Sequence, residues 1–206
     1  MMITTIDKLQ KPLLANEIDF RVQSVVNRQI NGKWTVCAKM LAYKDARCDM
    51  RRLDDVFGFD GWQRLHKEYN GMLFGGVSIK SESGEWIEKW DVGEASFAHA
   101  DKGLASDSFK RACFNLGIGR ELYDYPEILV PLVFNENNYD SEYSEYQEKG
   151  RKKYKAGFAL KPKEWFWFNQ FNDDGDLTYL ACKQVTGTNE KIRFSFGKYE
   201  KPENVA

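Results

Sequence analysis

The sequence predicts an α+β protein whose sheet is antiparallel. Strand-like stretches follow one another directly, joined by turn dipeptides such as Asn31-Gly32 and Asn70-Gly71. Two-residue turns connect antiparallel neighbours, whereas each parallel pair needs a long crossover. Helix-like stretches separate groups of strands instead of alternating with single strands, which favours the α+β class over a doubly wound fold. The predicted order is helix, two strands, helix, three strands, helix.

Composition limits the classes of protein that fit. The 206 residues are 42% hydrophobic and 30% charged, a balance typical of a soluble globular chain. No apolar run reaches the roughly 18 residues of a membrane span, and the first residues lack a secretory pattern, so we expect a cytoplasmic protein with no membrane partner. The formal charge is −1, so a site for a polyanion depends on local clustering of basic side chains.

The first two strands are predicted from alternation along the chain. Residues 18–26 alternate with a period of two, and residues 33–42 repeat the pattern after Asn31-Gly32, which favours a type I′ hairpin. The first strand is expected to place its side chains on two faces, with Phe20 and Val22 on one and Arg21, Gln23 and Val25 on the other.

A helix and a three-stranded meander follow the hairpin. Asp45 is a suitable N-cap for the helix, and Gly58 is a suitable end. The Gly-Phe-Asp-Gly-Trp corner at residues 58–62 is interpreted as structural, with glycines for the turn and Trp62 for the core. The three strands of the meander are predicted at residues 63–69, 72–81 and 85–92.

A further helix is predicted over residues 101–116. Its apolar stripe consists of Ala105, Phe109, Ala112, Cys113 and Leu116. Lys110 and Arg111 lie towards the opposite side, with Phe114 between them. Phe114 is thus an aromatic residue off the core-facing stripe, which suits either stacking on a base or packing in a subunit interface.

The rest of the chain is predicted to lie outside a main domain of residues 1–133. Residues 134–156 are first acidic and then basic, which we interpret as a charged flexible linker. Residues 157–206 contain three strand-like stretches and are predicted to form a small β-rich C-terminal appendage. The aromatic stretch at residues 163–171 suits either stacking on bases or the core of this appendage.

Two segments carry a family resemblance. Residues 41–62 read LAYKDARCDMRRLDDVFGFDGW, and residues 101–123 read DKGLASDSFKRACFNLGIGRELY. In order and spacing they resemble the Rad52 family of single-strand DNA annealing recombinases, including its bacteriophage members. The resemblance covers residues 6–125. It implies a single-strand annealing core in residues 1–133 and a homo-oligomeric ring that holds single-stranded DNA along a basic groove.

The resemblance also implies which residues contact DNA. Tyr43 matches the family's tyrosine at the end of the second strand, and Lys110 and Arg111 match its Lys-Arg pair. Arg21 matches a strand arginine. Phe114 departs from the pattern, because the eukaryotic members have an arginine there, so the charge of the groove is completed elsewhere or is weaker. The full predicted DNA-binding set is Lys110, Arg111, Arg21, Tyr43, Phe114, Gln23 and Lys102.

The chemistry of these residues fits the implied function. Annealing requires a strand to be held by its phosphates while its base edges stay free to pair. Lys and Arg on a rigid helix suit that task, since they bind phosphate regardless of base sequence. Simpler interpretations stay open: Lys110 and Arg111 as solvated charges, Arg21 as part of a polar sheet face, and Tyr43 as a packed aromatic.

A second basic surface is predicted on the first long helix. Arg47, Arg51 and Arg52 suit a second DNA site, a subunit contact, or ion pairs with nearby acids. The candidate acids are Asp49, Asp54 and Asp55. Solvated ion pairing is the favoured interpretation, because runs of charge on a helix are usually exposed surface.

The sequence offers few candidate residues for an enzymatic function. There is no GxxxxGK[ST] phosphate loop, no convincing carboxylate cluster, and only two histidines, His66 and His99. The four cysteines lie far apart and are expected to be buried thiols. We therefore expect a non-enzyme without cofactor or metal. A metal-dependent nuclease and a plain single-strand protection protein remain the alternatives, and a single-strand binding protein or a phage exonuclease in a bacterial host is a candidate partner.

Overall fold

The computed structural model describes residues 5–93 and 100–201, apart from the side chains of Ile6 and residues 100–102. In this part of the chain three α-helices accompany four mostly antiparallel sheets, which confirms the predicted α+β class. The helices are α1 (Thr5–Leu9), α2 (Ala46–Phe57) and α3 (Ala100–Phe114). The strands are β1 (Asp19–Ile30), β2 (Lys33–Tyr43), β3 (Trp62–Tyr69), β4 (Met72–Lys80), β5 (Trp86–Val92), β6 (Ile128–Pro131), β7 (Tyr143–Glu148), β8 (Arg151–Ala156), β9 (Trp165–Phe171), β10 (Leu177–Thr186) and β11 (Asn189–Gly197).

The chain divides into two compact units. The first unit contains residues 1–19 and 44–123, and the second contains residues 20–43 and 124–206. The division differs from the predicted one into residues 1–133, 134–156 and 157–206, because the β1–β2 hairpin belongs to the same unit as the C-terminal strands.

The first unit is built on the meander β3-β4-β5. The helix α2 begins where the Asp45 side chain accepts a hydrogen bond from the backbone N–H of Arg47 at 2.7 Å. It ends at Gly58, whose φ of 72° suits glycine. The core of this unit combines the helices with β4 and consists of Leu9, Leu53, Val77, Phe109, Ala112, Cys113, Leu116 and Ile118.

Two glycines let α3 lie very close to the meander. A Cβ atom on Gly75 of β4 would lie 2.4 Å from Oγ of Ser108, and a Cβ on Gly93 would lie 2.5 Å from the carbonyl oxygen of Leu104. Any larger residue would force the helix away from the sheet. The buried side of α3 carries Phe109 and other members of the predicted apolar stripe.

The Gly-Phe-Asp-Gly-Trp corner is a packed structural turn. A Cβ on Gly61 would lie 2.2 Å from the carbonyl oxygen of Phe57, so only glycine fits there. Trp62 donates from Nε1 to Oδ1 of Asp54 at 2.7 Å, and its ring lies 6.1 Å from that of Phe109. Phe59 is the exception, because its side chain is 90% exposed.

The second unit begins with the β1–β2 hairpin. Asn31 and Gly32 have φ of 49° and 79°, as a type I′ turn requires, and β6 pairs with the other side of β2. Alternation along β1 fails after Val22. Val25 packs against the same core as Phe20 and Val22, and not on the opposite face as predicted, because both Gln23 and Ser24 are exposed and the alternation shifts by one residue.

Residues 134–156, predicted as a flexible linker, contain a hairpin instead. The strands β7 and β8 pair antiparallel across a turn at Lys149 and Gly150, whose φ values are 50° and 73°. The change from acidic to basic residues, which suggested a linker, instead places an acidic strand beside a basic one. The opposite charges attract across the hairpin, where Nζ of Lys152 lies 2.7 Å from Oε2 of Glu145.

The predicted appendage does not form a core of its own. The sheet β11-β10-β9 packs its inner face against β2 and β6. In the aromatic stretch Trp165 and Trp167 point into this core, while Phe166 and Phe168 are exposed. The ring of Trp167 stacks on that of Phe20, with 4.0 Å between the two ring centroids. The shared core consists of Ala38, Met40, Ile128, Val130, Leu132, Trp165, Leu180 and Cys182.

The shared core predicts that damage to β10 destabilises the β1–β2 hairpin as well. We expect Leu180→Ala to lower the free energy of unfolding by about 2 to 5 kcal/mol, because Leu180 is fully buried. Ile192→Ala, at a site 66% exposed on β11, is the matched control and should change little. Denaturant unfolding followed by tryptophan fluorescence measures both. Equal effects of the two variants would contradict a shared core.

Candidate nucleic-acid interface

The outer side of α3 presents two of the predicted DNA-binding cations. Phe109, Ala112 and Cys113 are fully buried, whereas Lys110 and Arg111 beside them keep part of their side chains at the surface. The Lys110 side chain is 25% exposed and that of Arg111 is 40% exposed. Both are held on a regular helix and are accessible to solvent.

Both cations have carboxylate neighbours. Nζ of Lys110 lies 3.6 Å from Oδ1 of Asp107 one turn earlier, and Nε of Arg111 lies 3.3 Å from Oδ1 of Asp91 on β5. Burial acts to lower the pKa of Arg111, but its hydrogen bond and charge interaction with Asp91 raise it overall. Partly exposed ion pairs are worth about 0 to 1 kcal/mol, so a phosphate can replace either carboxylate at low cost.

Phe114 lies on the same outer side of α3 but is not isolated there. Its ring centroid lies 5.1 Å from that of Tyr123 at an interplanar angle of 57°. Nζ of Lys44 lies 4.3 Å from the centre of the Phe114 ring. Part of the ring is therefore used within the unit, in a cation–π contact that covers Lys44.

A buried ion pair lies beneath Phe114. Lys44 is 1% exposed, Asp49 is fully buried, and Nζ of Lys44 donates to Oδ1 of Asp49. Among the described residues Oδ2 of Asp49 has no hydrogen-bond partner. Burial raises the pKa of the Asp49 carboxyl to about 6, although the positive charges of Lys44 and Lys110 act in the opposite direction.

Sequence reasoning missed this pair. It assigned Asp49 to the neighbouring arginines, and that assignment is wrong because Asp49 faces the core beneath Phe114. Asp49 lies one turn from Ala46 and Leu53 on the apolar side of α2, and this spacing was the available signal. Lys44, directly after the strand residue Tyr43, carried no comparable signal.

The arginines of α2 have separate surroundings. Arg52 is mostly buried, pairs with Glu17 at 2.6 Å, and donates from Nη2 to the carbonyl oxygen of Pro12 at 2.9 Å. The predicted partner Asp54 instead accepts from the Trp62 indole. Arg47 is 80% exposed beside Asp45.

The second unit holds another group of predicted DNA-binding residues. Arg21 on β1 lies over the ring of Tyr43 on β2, with 5.5 Å from its guanidinium carbon to the ring centre. Arg21 and Gln23 are both exposed on β1. This places a cation, an aromatic ring and a carboxamide on one hairpin. Lys102 lies in the first turn of α3, but its side chain is outside the described part of the structure.

Within residues 5–93 and 100–201, no three His, Cys, Asp or Glu side chains lie close enough to hold a metal ion. All four cysteines are buried and unpaired, as predicted, and burial raises the pKa of Cys48 and Cys182 to about 12. No helix of the described part is long and apolar enough to cross a membrane.

Comparison with known proteins identifies the class. A model of the "Rad52/22 family double-strand break repair protein" matches residues 2–143, more than half of the chain. The chain therefore belongs to the Rad52/22 family. It is also similar to the single-stranded DNA-binding protein DdrA of Deinococcus radiodurans, with 36% identity over 97 residues. That alignment covers 44% of this chain and 43% of DdrA, so the chain spans less than half the length of this relative.

The raised pKa of Asp49 predicts a pH-dependent stability of the first unit. The carboxyl titrates near its ordinary value of 3.8 when unfolded and at about 6 when folded, so the folded state binds the proton more tightly. Protonation of Asp49 therefore stabilises the folded state. This stabilisation is fully present below the pKa of the unfolded state and is lost as the pH rises through the pKa of the folded state.

We therefore expect the carboxyl resonance of Asp49 to titrate with a midpoint near pH 6. As the pH rises from the pKa of the unfolded state to that of the folded state, the free energy of unfolding of the wild type should decrease relative to that of Asp49→Asn. Asp45→Asn, at an exposed carboxyl, is the control. A midpoint for Asp49 at or below its ordinary value would contradict the effect of burial.

Proposed function

We propose that this chain binds single-stranded DNA and anneals complementary strands in recombination or repair, as an oligomeric ring and without nucleotide hydrolysis. One observation carries the proposal: the family match over residues 2–143 contains every predicted DNA-binding residue. The DdrA relative, named as a single-stranded DNA-binding protein, supports the choice of ligand.

The geometry of α3 supports binding through phosphates. Lys110 and Arg111 are partly exposed on a helix that Gly75 and Gly93 hold tightly to the sheet. Fixed cations of this kind neutralise phosphates whatever the base sequence, and so leave base edges free for a complementary strand. The exposed Arg21, in contact with Tyr43, is proposed to add a further contact from the β1–β2 hairpin.

Exposed apolar side chains support assembly of several copies. In the first unit Tyr69, Met72, Trp86 and Ile87 are each more than 40% exposed on the meander. Such residues are suitable for burial against another subunit. A ring also repeats the few cations of each chain, and repetition supplies the affinity that one copy lacks.

The principal test of this function is DNA binding by variants of α3. Lys110→Ala and Arg111→Ala should each weaken binding to all sequences alike and lower the slope of log affinity against log salt by about 0.7 per lost phosphate contact. Phe114→Leu should leave the slope unchanged, and Lys80→Ala, an exposed lysine at the end of β4, is the matched control. Fluorescence anisotropy with oligo(dT) measures these slopes.

Wild-type slopes for both α3 variants would refute their assignment as phosphate ligands. Annealing of complementary strands in EDTA, without nucleotide, separates the proposal from its rivals. A nuclease would need the metal, and a protection protein would slow annealing.

Oligomerisation is tested by light scattering. We expect the purified chain to have a mass several times that of one subunit, with or without DNA, because the exposed apolar residues of the meander need burial. Trp86→Glu should reduce the mass, whereas Glu85→Gln beside it should not. A monomeric mass for the wild type with DNA present would exclude the ring.

A further inference from the structure

The second unit contains a surface trough that includes no residue of α3. It has a volume of about 700 Å³ and lies between Val22–Arg28 of β1 and Lys152–Ala156 of β8, with Tyr146 of β7 at its side. The strand β1 is the edge of its sheet, so its outer side faces the trough. We call this feature the basic trough.

The side chains of β8 give the trough its charge. Lys153 and Lys155 of β8 both line the trough, and alternation places them on one face of the β7–β8 hairpin, where Tyr146 lies directly opposite Lys153. All three are exposed, and neither lysine forms an ion pair with another described residue. Lys152 on the other face pairs with Glu145.

The β1 side of the trough adds polar groups. Gln23 and Arg28 are exposed there. Asn27 donates from Nδ2 to the hydroxyl of Tyr154 at 3.4 Å, and its buried Oδ1 has no partner among the described residues. The trough thus combines cations with an exposed aromatic side chain.

We propose that the basic trough is a second binding site for single-stranded nucleic acid. Lys153 and Lys155 contact phosphates, and Tyr146 stacks on a base. Cations along a groove with an aromatic platform are the usual composition of a single-strand site, and stacking on a side chain requires an unpaired base. The proposal rests on the proposed function. It extends that function beyond residue 143, where the family match ends.

The test compares salt dependence in matched variants. Against oligo(dT), the double variant Lys153→Ala and Lys155→Ala should lower the slope of log affinity against log salt by about 1.4, for two phosphate contacts. The control is Lys191→Ala, at an exposed lysine on β11 of the same unit, which should keep the wild-type slope. Circular dichroism verifies that each variant is folded.

The outcomes separate this proposal from the proposed function. If the wild type binds oligo(dT) and the double variant keeps its slope, the trough proposal is overturned and the proposed function stands. If the wild type does not bind oligo(dT), the proposed function has failed. A double variant that keeps the DNA slope but loses binding to polyglutamate marks the trough as a site for an acidic protein segment, which also overturns the proposal.

Photochemical crosslinking supplies an independent readout of stacking. An oligonucleotide carrying iodouracil should form an adduct on the peptide that contains Tyr146, and Tyr146→Leu should remove that adduct while keeping the salt slope. Crosslinks from the wild type that map only to residues 100–123 would overturn the role of Tyr146.

Discussion

The close approach of α3 to the meander determines which side of this helix reaches solvent. Gly75 and Gly93 leave no room between helix and sheet, so the helix cannot roll without a clash with β4 or with the residue that follows β5. Interiors packed at this density admit few alternative arrangements. The same packing leaves Lys110 and Arg111 partly exposed and brings Asp91 of β5 within reach of Arg111.

Among the described residues, each unit also contains an ion pair whose two side chains are less than 10% exposed. In the first unit Lys44 contacts Asp49, and in the second Arg193 makes two hydrogen bonds of 2.8 Å to the carboxylate of Glu142. Desolvation of two charges offsets much of their attraction, so such pairs contribute more to a defined arrangement than to stability. The Arg193 pair ties β11 to the segment before β7, and the Lys44 pair ties the segment just before α2 to that helix.

Local sequence signals were sufficient for most of the elements but not for how they assemble. Turn dipeptides and caps act on neighbouring residues, and so Asn31-Gly32, Asp45 and Gly58 indicated their turn and helix ends correctly. The β7–β8 hairpin was missed because the cross-strand pairing of acids with bases has no hydrophobic period. The cation–π contact of Phe114 depends on Lys44, far away in sequence, which no spacing rule detects.

The second unit is discontinuous in sequence, and this has a consequence for biosynthesis. The β1–β2 hairpin emerges from the ribosome before residues 44–123, while its partners β6, β9 and β10 emerge after them. Such long sequence separations slow folding, because loop closure precedes the stabilising contacts. The first unit can therefore fold during translation, whereas the apolar side of the hairpin stays uncovered and open to chaperones until β10 has been made.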